Sequence, residues 1–326
     1  MKTKKNLIWL VVSLLVISIV LAGCSNNAGS SGEGGNKSEE NWQLSIGTAS
    51  MGGAFFPVGQ EIANLVTKYV DGAKMTPEVT AGALENPRLI ANGDVELGIT
   101  NANLAYFAAN GMKPYEGKLE VSAVSLLHPS VFHIITMADS PINSIADLKG
   151  KKIAVGPAGG GTLPILQALL EQYGLSMDDI VPNYLSYNDG FTQLSDGNVD
   201  VALALSGYPA SAVVEISTSK DIKFIEIADD KLDNILAKYS YYSKVKVPKD
   251  VYKLKGDATA IGVPNVLLVN NNLDEQLVYN ITKAIFDNLD EFKEANANAK
   301  QIDIETADQT PIPLHPGAKK YFDERK

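Results

Sequence analysis

The stretch Lys152–Thr162, which reads KIAVGPAGGGT, decides the fold. A short apolar strand runs into a glycine loop, and a helix follows with Pro164 in its first turn and Gly174 after its last apolar residue. The same order occurs earlier, where Trp42–Gly53 reads WQLSIGTASMGG and leads into a second helix. Two copies of strand, glycine loop and helix predict an α/β protein built from two similar halves.

Each half also has a later apolar strand that ends in polar residues. These strands are predicted over 93–100 and 197–205, and the polar residues that follow them are Asn101 and Asn103 in the first half and Ser206 and Tyr208 in the second. In α/β sheets, ligands bind beyond the carboxyl ends of the strands. We therefore expect two lobes around mainly parallel sheets, with a ligand cleft between them.

The apolar tail of the chain has no glycine loop of its own. It contains a predicted strand over 260–269 and a helix capped by Asp274. We interpret the tail as completing the first lobe, so that lobe I comprises 41–137 with 248–326 and lobe II comprises 138–247. The two chain crossings between the lobes would then act as a hinge.

The amino terminus has the pattern of a bacterial lipoprotein signal. Three lysines within the first five residues precede an apolar run, and Cys24, the single cysteine, follows small residues at its end. We predict a signal peptide over 1–23, lipidation of Cys24 and a flexible tether over 24–40, which is rich in Ser, Asn, Gly and Glu. The alternative is an uncleaved membrane anchor with an incidental cysteine.

Composition excludes several classes of function. The chain has 326 residues, of which 45% are hydrophobic and 20% are charged, which is typical of a globular protein of about two domains. A net charge of -10 argues against a nucleic-acid partner. One cysteine excludes a disulfide framework or a thiolate metal cluster, and we predict no metal and no cofactor. Thr162 stands where a P-loop has its lysine, which argues against nucleotide binding.

A catalytic interpretation centres on Ser50, which lies in a glycine loop between a strand and a helix. The loop is one residue longer than a nucleophile elbow. A histidine partner would have to be one of the three in the chain, and we interpret His133 and His315 as core or interface residues. We predict a binding protein that is not an enzyme, and a hydrolase that uses Ser50 is the alternative.

The glycine loops have the features of anion-binding sites. A loop that precedes a helix offers free backbone N–H groups and the positive end of the helix dipole. Gly160, Gly161 and Thr162 fit this role in the second half, and the loop over 50–53 fits it in the first half. The alternative is that the glycines only make tight turns.

Four motifs give the chain a family resemblance. They lie at 48–59 (TASMGGAFFPVG), 81–90 (AGALENPRLI), 147–152 (DLKGKK) and 311–318 (PIPLHPGA). In these stretches the chain resembles TAXI-type solute-binding proteins, the extracytoplasmic receptors of TRAP transporters. The resemblance implies a type II periplasmic-binding fold that closes by hinge motion, and membrane permease subunits driven by an ion gradient. It also implies a small carboxylate or amino-acid ligand, with glutamate, glutamine and 2-oxoglutarate as the usual candidates.

By position, the resemblance also assigns residues that face the ligand. They are Ser50, Gly53, Phe56, Asn101 and Asn103 in the first lobe, and Gly160, Gly161, Thr162, Ser206 and Tyr208 in the second. The chain departs from the family at Phe56, Asn101 and Asn103, where Tyr, Gln and Asp are common, and this removes a hydroxyl and a charge from the predicted pocket.

The resemblance leaves other functional classes open. The alternatives are the substrate-binding lipoprotein of an ATP-driven importer, which uses the same fold, and a sensor that passes ligand occupancy to a membrane kinase. In either case we expect a monomer that is lipid-anchored to the cell membrane on its extracytoplasmic side.

Overall fold

Ten strands form one continuous sheet in the computed structural model, which describes residues 41–326. The predicted signal peptide, the tether and Cys24 lie outside the described residues. Among residues 41–326, the helices lack the length and the apolar run that spanning a membrane requires.

The strands range from three to seventeen residues in length. They are β1 (Trp42–Gly47), β2 (Ala73–Glu78), β3 (Leu97–Asn101), β4 (Val121–Met137), β5 (Lys152–Ala154), β6 (Val181–Asn183), β7 (Val201–Ser206), β8 (Ile222–Phe224), β9 (Ser243–Val247) and β10 (Ala258–Asn270).

Helices connect most of these strands. They are α1 (Phe55–Tyr69), α2 (Asn86–Asn92), α3 (Ala102–Asn110), α4 (Thr162–Gln172), α5 (Tyr187–Ser195), α6 (Ser211–Ser219), α7 (Asp229–Lys238), α8 (Glu275–Phe286), α9 (Leu289–Ala295) and α10 (Pro316–Asp323). Short 3-10 turns cover Ile145–Leu148, Met177–Asp179, Lys249–Val251 and Ala297–Gln301.

The sheet confirms the α/β prediction but is mixed, not mainly parallel. The strand order is β2-β1-β3-β10-β4-β7-β5-β6, with β8 also paired to β4 and β9 to β10. The pairs among β2, β1 and β3 and among β7, β5 and β6 are parallel. The two long strands β4 and β10 lie between these groups and are antiparallel to their neighbours, because each returns through the sheet from the opposite end.

The long strands β4 and β10 connect the two parallel groups of the sheet. The first part of β4 pairs with β10, and its last part, from Val131, pairs with β7 and then β8. Pro129 stands opposite Pro264 at the change of partner, and the ladder register shifts between Pro264 and Val266. Proline cannot donate a ladder hydrogen bond, so the ladder lacks two backbone donors at this point. The predicted lobe boundaries at 137 and 248 stay a prediction.

Two predicted strands begin later than the sequence pattern indicates. Gly93 and Gly197 have φ angles of 78° and 75° and end the turns that follow α2 and α5. Such left-handed positions favour glycine and end a helix. The strands therefore start at Leu97 and Val201, four residues after each glycine.

The helix of the tail begins as predicted. The side chain of Asp274 accepts a hydrogen bond from the backbone N–H of Leu277 at 2.8 Å, which caps α8. The buried face of α8 includes Val278, Ile281 and Ile285. It packs against α1 and α10, which brings the tail onto the first half of the chain.

Candidate functional site

A narrow cavity lies where the glycine loops of the two halves meet. The cavity is bordered by the loop after β1, by residues 81–83, by Asn101 at the end of β3 and by the loop that precedes α4. Its volume is about 20 Å³. One water molecule needs about 10–15 Å³ of such volume, so the cavity has room for little more than one. The two halves are therefore closed on each other.

Five of the ten predicted ligand residues line this cavity. They are Ser50, Gly53, Asn101, Gly160 and Gly161. They come from both halves of the chain, so the fold brings together loops that are more than a hundred residues apart in sequence. Their role in binding a ligand stays a prediction.

Ser206 lies just behind the cavity. Its side chain is fully buried, and its Oγ has no hydrogen-bond partner among residues 41–326. A Cβ added to Gly53 would lie 3.8 Å from this Oγ and 3.3 Å from the ring of Tyr187. Gly53 therefore lets the first loop approach the end of β7.

The other four predicted residues do not line the cavity. Phe56 is half-buried, and its neighbour Phe55 lines the cavity in its place. Asn103 donates from Nδ2 to the hydroxyl of Tyr242 at 3.3 Å. Thr162 donates from Oγ1 to the carbonyl of Val155 at 2.6 Å.

Tyr208 contacts the tail of the chain and a second apolar cluster, and it does not line the cavity. Its carbonyl oxygen accepts a hydrogen bond from Nε2 of Gln301 at 3.0 Å. Its side chain packs beside a second apolar cluster that contains Phe191 and Val213. The contact with Gln301 joins the end of β7 to the tail of the chain.

Two helices begin at the cavity without a side-chain cap. Ala54 precedes α1 and Gly161 precedes α4, both line the cavity, and neither helix start has a capping side chain. The N–H groups of Gly161 and Thr162 have no acceptor within the described chain. The N–H of Gly160, which was also predicted to be free, donates to the carbonyl of Pro157 at 2.9 Å because the loop makes a turn there.

No charged side chain borders the cavity within residues 41–326. Arg88 is directed elsewhere: its Nη2 donates to the carbonyl of Pro114 at 2.9 Å, and its guanidinium lies 4.9 Å from the ring centre of Tyr115. The two helix starts are therefore the groups at the cavity that can attract an anion.

Among the residues of the site that the sequence prediction missed are Phe55, Tyr187 and Asn265. Phe55 and Tyr187 line the cavity, and the hydroxyl of Tyr187 donates to the carbonyl of Leu205 at 3.2 Å. Asn265 on β10 accepts a hydrogen bond from Asn101, which borders the cavity, and donates to the backbone carbonyl of His128, which lies behind it. Its signal in the sequence is an asparagine in the middle of an apolar strand.

The histidines do not form a catalytic pair with Ser50. The Oγ of Ser50 has no hydrogen-bond partner in the described part of the chain. Burial lowers the pKa of His128 and of His133 to about 4, which keeps both rings neutral near pH 7. No group of His, Cys, Asp and Glu in residues 41–326 is arranged to hold a metal ion.

The chain matches a protein family over most of its length. The model of the NMT1-like family matches residues 46–325. The chain belongs to the NMT1-like family. This finding corrects the family assignment drawn from the sequence motifs: the TAXI-type identification was wrong, because the motifs at 48–59, 81–90, 147–152 and 311–318 fall within the span of a different family model.

One curated relative aligns with part of this NMT1-like protein. It is a protein of Escherichia coli (strain K12), provisionally named an aliphatic sulfonates-binding protein, and it is 29% identical over 148 residues. The alignment covers 45% of this chain and 41% of the relative, which is less than half the length of either protein.

Solved structures share the fold of this NMT1-like protein at low sequence identity. A provisionally named L-cystine ABC transporter from Listeria monocytogenes has a TM-score of 0.50 at 13% identity, with 82% of this chain and 99% of that chain covered. The periplasmic aliphatic sulphonate binding protein of Escherichia coli has a TM-score of 0.45 at 18% identity, with 87% and 84% covered. The predicted type II periplasmic-binding fold is confirmed.

Proposed function

We propose that this NMT1-like protein is the extracytoplasmic solute-binding component of an ATP-driven importer, and that it binds a small anion between its two glycine loops, which must separate to admit the anion because the cavity of about 20 Å³ has room for little more than one water molecule. The observation that carries the proposal is the meeting of two uncapped helix starts, at Ala54 and Gly161, in one cavity formed by both halves of the chain. Each helix start supplies about half a positive charge and unpaired N–H donors.

The anion class follows from the donors that are free. The N–H groups of Gly161 and Thr162 can bind the oxygens of a carboxylate or of a sulfonate. A carboxylate is the ligand that the sequence predicted, and a sulfonate is the ligand in the name of the partial relative. Since Arg88 is engaged with backbone carbonyls, we propose that the anion is bound without a guanidinium.

The proposed transport partner is the membrane part of an ATP-driven importer. The sequence left this partner open as an alternative, and the Listeria protein with the same fold is named as an ABC transporter. Uptake of the bound solute should persist when an ionophore collapses the ion gradients of the cell while ATP is maintained. Loss of uptake under that treatment would refute the ATP-driven mechanism.

The proposed location is the outer face of the cell membrane, with Cys24 as the lipidated residue. Replacing Cys24 by Ala should leave the protein unlipidated and poorly processed, because no diacylated anchor can form. Ligand affinity of the purified chain should stay the same, since residue 24 is remote in sequence from the loops that form the cavity. Incorporation of a labelled fatty acid into the Cys24→Ala protein would contradict the proposed anchor.

The test of the ligand class is a thermal-shift screen of the purified protein against small sulfonates, carboxylates and amino acids. A ligand that binds only the folded chain stabilises it by about 2.7 kcal/mol at a hundredfold excess over its dissociation constant. We expect at least one small anion to raise the melting temperature and to be recovered unchanged afterwards. No shift with any of these compounds would overturn the proposed function, and conversion of the compound would favour an enzyme.

A further inference from the structure

A buried amide, that of Asn265, lies behind the cavity in one fixed orientation. Its Nδ2 is 2.7 Å from the backbone carbonyl oxygen of His128. A carbonyl oxygen can only accept a hydrogen bond, so the NH₂ group of Asn265 must face His128. The Oδ1 atom of Asn265 therefore faces the opposite way, toward the end of β3.

The orientation of Asn265 in turn fixes that of Asn101. The Oδ1 atom of Asn265 accepts hydrogen bonds from Nδ2 of Asn101 at 2.8 Å and from Oγ of Ser130 at 3.0 Å. Since an amide oxygen cannot donate, Asn101 must turn its NH₂ group toward Asn265. The Oδ1 atom of Asn101 is consequently left facing the other loop.

This Oδ1 atom of Asn101 is an unpaired acceptor at the cavity. Asn101 is 1% exposed, and its Oδ1 has no hydrogen-bond partner among residues 41–326. A Cβ added to Gly161 would lie 2.0 Å from the same oxygen, so Asn101 points directly at the start of α4. A buried acceptor that has lost water costs free energy until it finds a donor.

The ring of His128 completes the network. Its Nε2 lies 3.1 Å from Nδ2 of Asn265, whose second hydrogen it accepts. Only a neutral ring can accept there, and burial lowers the pKa of His128 to about 4. The donors and acceptors of the network therefore keep the same roles over the whole neutral pH range.

The geometry points to a ligand that carries a hydrogen-bond donor close to its anionic group, and to Asn265 as the residue that positions Asn101 to accept from that donor. Once the two glycine loops have separated to admit the ligand, the anion occupies the N–H groups at the start of α4, and an ammonium, amide or hydroxyl of the ligand donates to Oδ1 of Asn101. The inference rests on the proposed function, because it assumes that an anion binds in this cavity. It favours an amino-sulfonate or an amino acid over a plain alkyl sulfonate or carboxylate.

Two matched pairs of small molecules test this inference by titration calorimetry on the purified chain. The pairs are 2-aminoethanesulfonate with ethanesulfonate, and L-alanine with propionate. We expect the amino compound of the pair that binds to have at least tenfold the affinity of its partner, since the partner leaves Oδ1 of Asn101 unpaired. Equal affinities within a pair that binds would overturn the inference and leave the proposed function standing. If none of the four compounds binds but the thermal-shift screen yields another small anion, the same comparison is made between that anion and its analogue without the donor; if the screen yields none, the proposed function is overturned and this inference with it.

The role of Asn265 is tested by the affinity ratio within the pair. Asn265→Leu removes the acceptor that orients Asn101, so the amide can rotate and the ratio should fall to about threefold or less. The matched control is Asn270→Leu, on the same strand, whose side chain donates to the carbonyl of Ile90 and accepts from the N–H of Asn272. This control should lower stability and leave the ratio unchanged.

A second variant keeps the inference testable if Asn265→Leu does not fold. Asn101→Ala removes the acceptor itself and should also reduce the ratio to about threefold or less. A folded Asn265→Leu or Asn101→Ala protein that keeps the wild-type ratio would overturn the assignment. A loss of affinity that is equal for both compounds would show a merely structural role, and it would overturn the assignment too.

Discussion

The backbone N–H of Leu84 donates a hydrogen bond to the carbonyl oxygen of Gly159 at 2.9 Å, and this bond joins the two halves of the chain. Gly159 also packs against Ala81, so closely that a Cβ added to Gly159 would lie 2.5 Å from the Cβ of Ala81. The two halves therefore meet at this point through backbone contact between small residues.

We expect Gly159→Ala to hinder closure and to lower ligand affinity about tenfold, because the new methyl group separates the two loops and overpacking of this kind costs about 1–3 kcal/mol. The titrated ligand is whichever small anion gives the largest thermal shift. The matched control is Gly117→Ala, where an added Cβ meets no atom within 4 Å. Wild-type affinity in Gly159→Ala would contradict the role of this contact.

A second prediction concerns Arg88, one of two arginines in the chain. Its guanidinium donates to the carbonyls of Leu84 and Pro114 and lies against the ring of Tyr115. Arg88→Gln should lower the free energy of unfolding by about 1 kcal/mol, the typical cost of such contacts. Ligand affinity should change less than threefold in calorimetry. A variant that folds but no longer binds would show that the anion is held by this cation.

The sequence pattern predicts the elements around the cavity better than it predicts their ends. Both glycine loops and both helix starts are present, because glycine and proline at fixed offsets act locally. The residues at which β3 and β7 begin depend on the left-handed φ angles of Gly93 and Gly197, which the apolar pattern does not reveal. The mixed sheet depends on β4, whose partners change along its length, and such pairing is a long-range property.

The sequence predicts only part of the site, because it reveals local motifs but not contacts between distant segments. Ser50 and Gly161 belong to local loop motifs, and both line the cavity. Which of Phe55 and Phe56 faces the cavity depends on the residue at which α1 begins, and a shift of one position rotates the face by about 100°. Asn103 reaches Tyr242, which is 139 residues away, and nothing near Asn103 in sequence indicates that contact.

A third prediction concerns the cap of α8. The side chain of Asp274 accepts from the N–H of Leu277, so Asp274→Ala leaves that donor without a partner. We expect a loss of about 1 kcal/mol in the free energy of unfolding, measured by urea denaturation. Asp274→Asn should retain most of the stability, because its side-chain oxygen can still accept. Equal losses in both variants would argue that the charge, not the hydrogen bond, stabilises this helix start.

The last prediction follows from the buried ring of His133. Its Nδ1 donates to the carbonyl of Val131 at 2.9 Å and its Nε2 accepts from the hydroxyl of Tyr252 at 2.8 Å, an arrangement that only the neutral ring can make. Burial lowers the pKa of His133 to about 4, whereas an unfolded chain titrates histidine near 6.5. Between these two values the unfolded chain binds a proton that the folded chain excludes.

The stability contributed by this neutral ring is therefore complete above pH 6.5 and is lost as the pH falls toward 4, by about 3 kcal/mol at the lower limit. Replacing His133 by Gln removes one of the two buried histidines whose pKa is lowered to about 4, so the free energy of unfolding of the variant should depend less steeply on pH between 6.5 and 4 than that of the wild type, and His128 should account for part of the slope that remains. Urea denaturation at half-unit pH intervals measures both slopes. Arg88→Gln, which changes no histidine, should keep the wild-type slope and so controls for a general loss of stability. If His133→Gln has the wild-type slope as well, the proton that destabilises the fold in this range binds elsewhere.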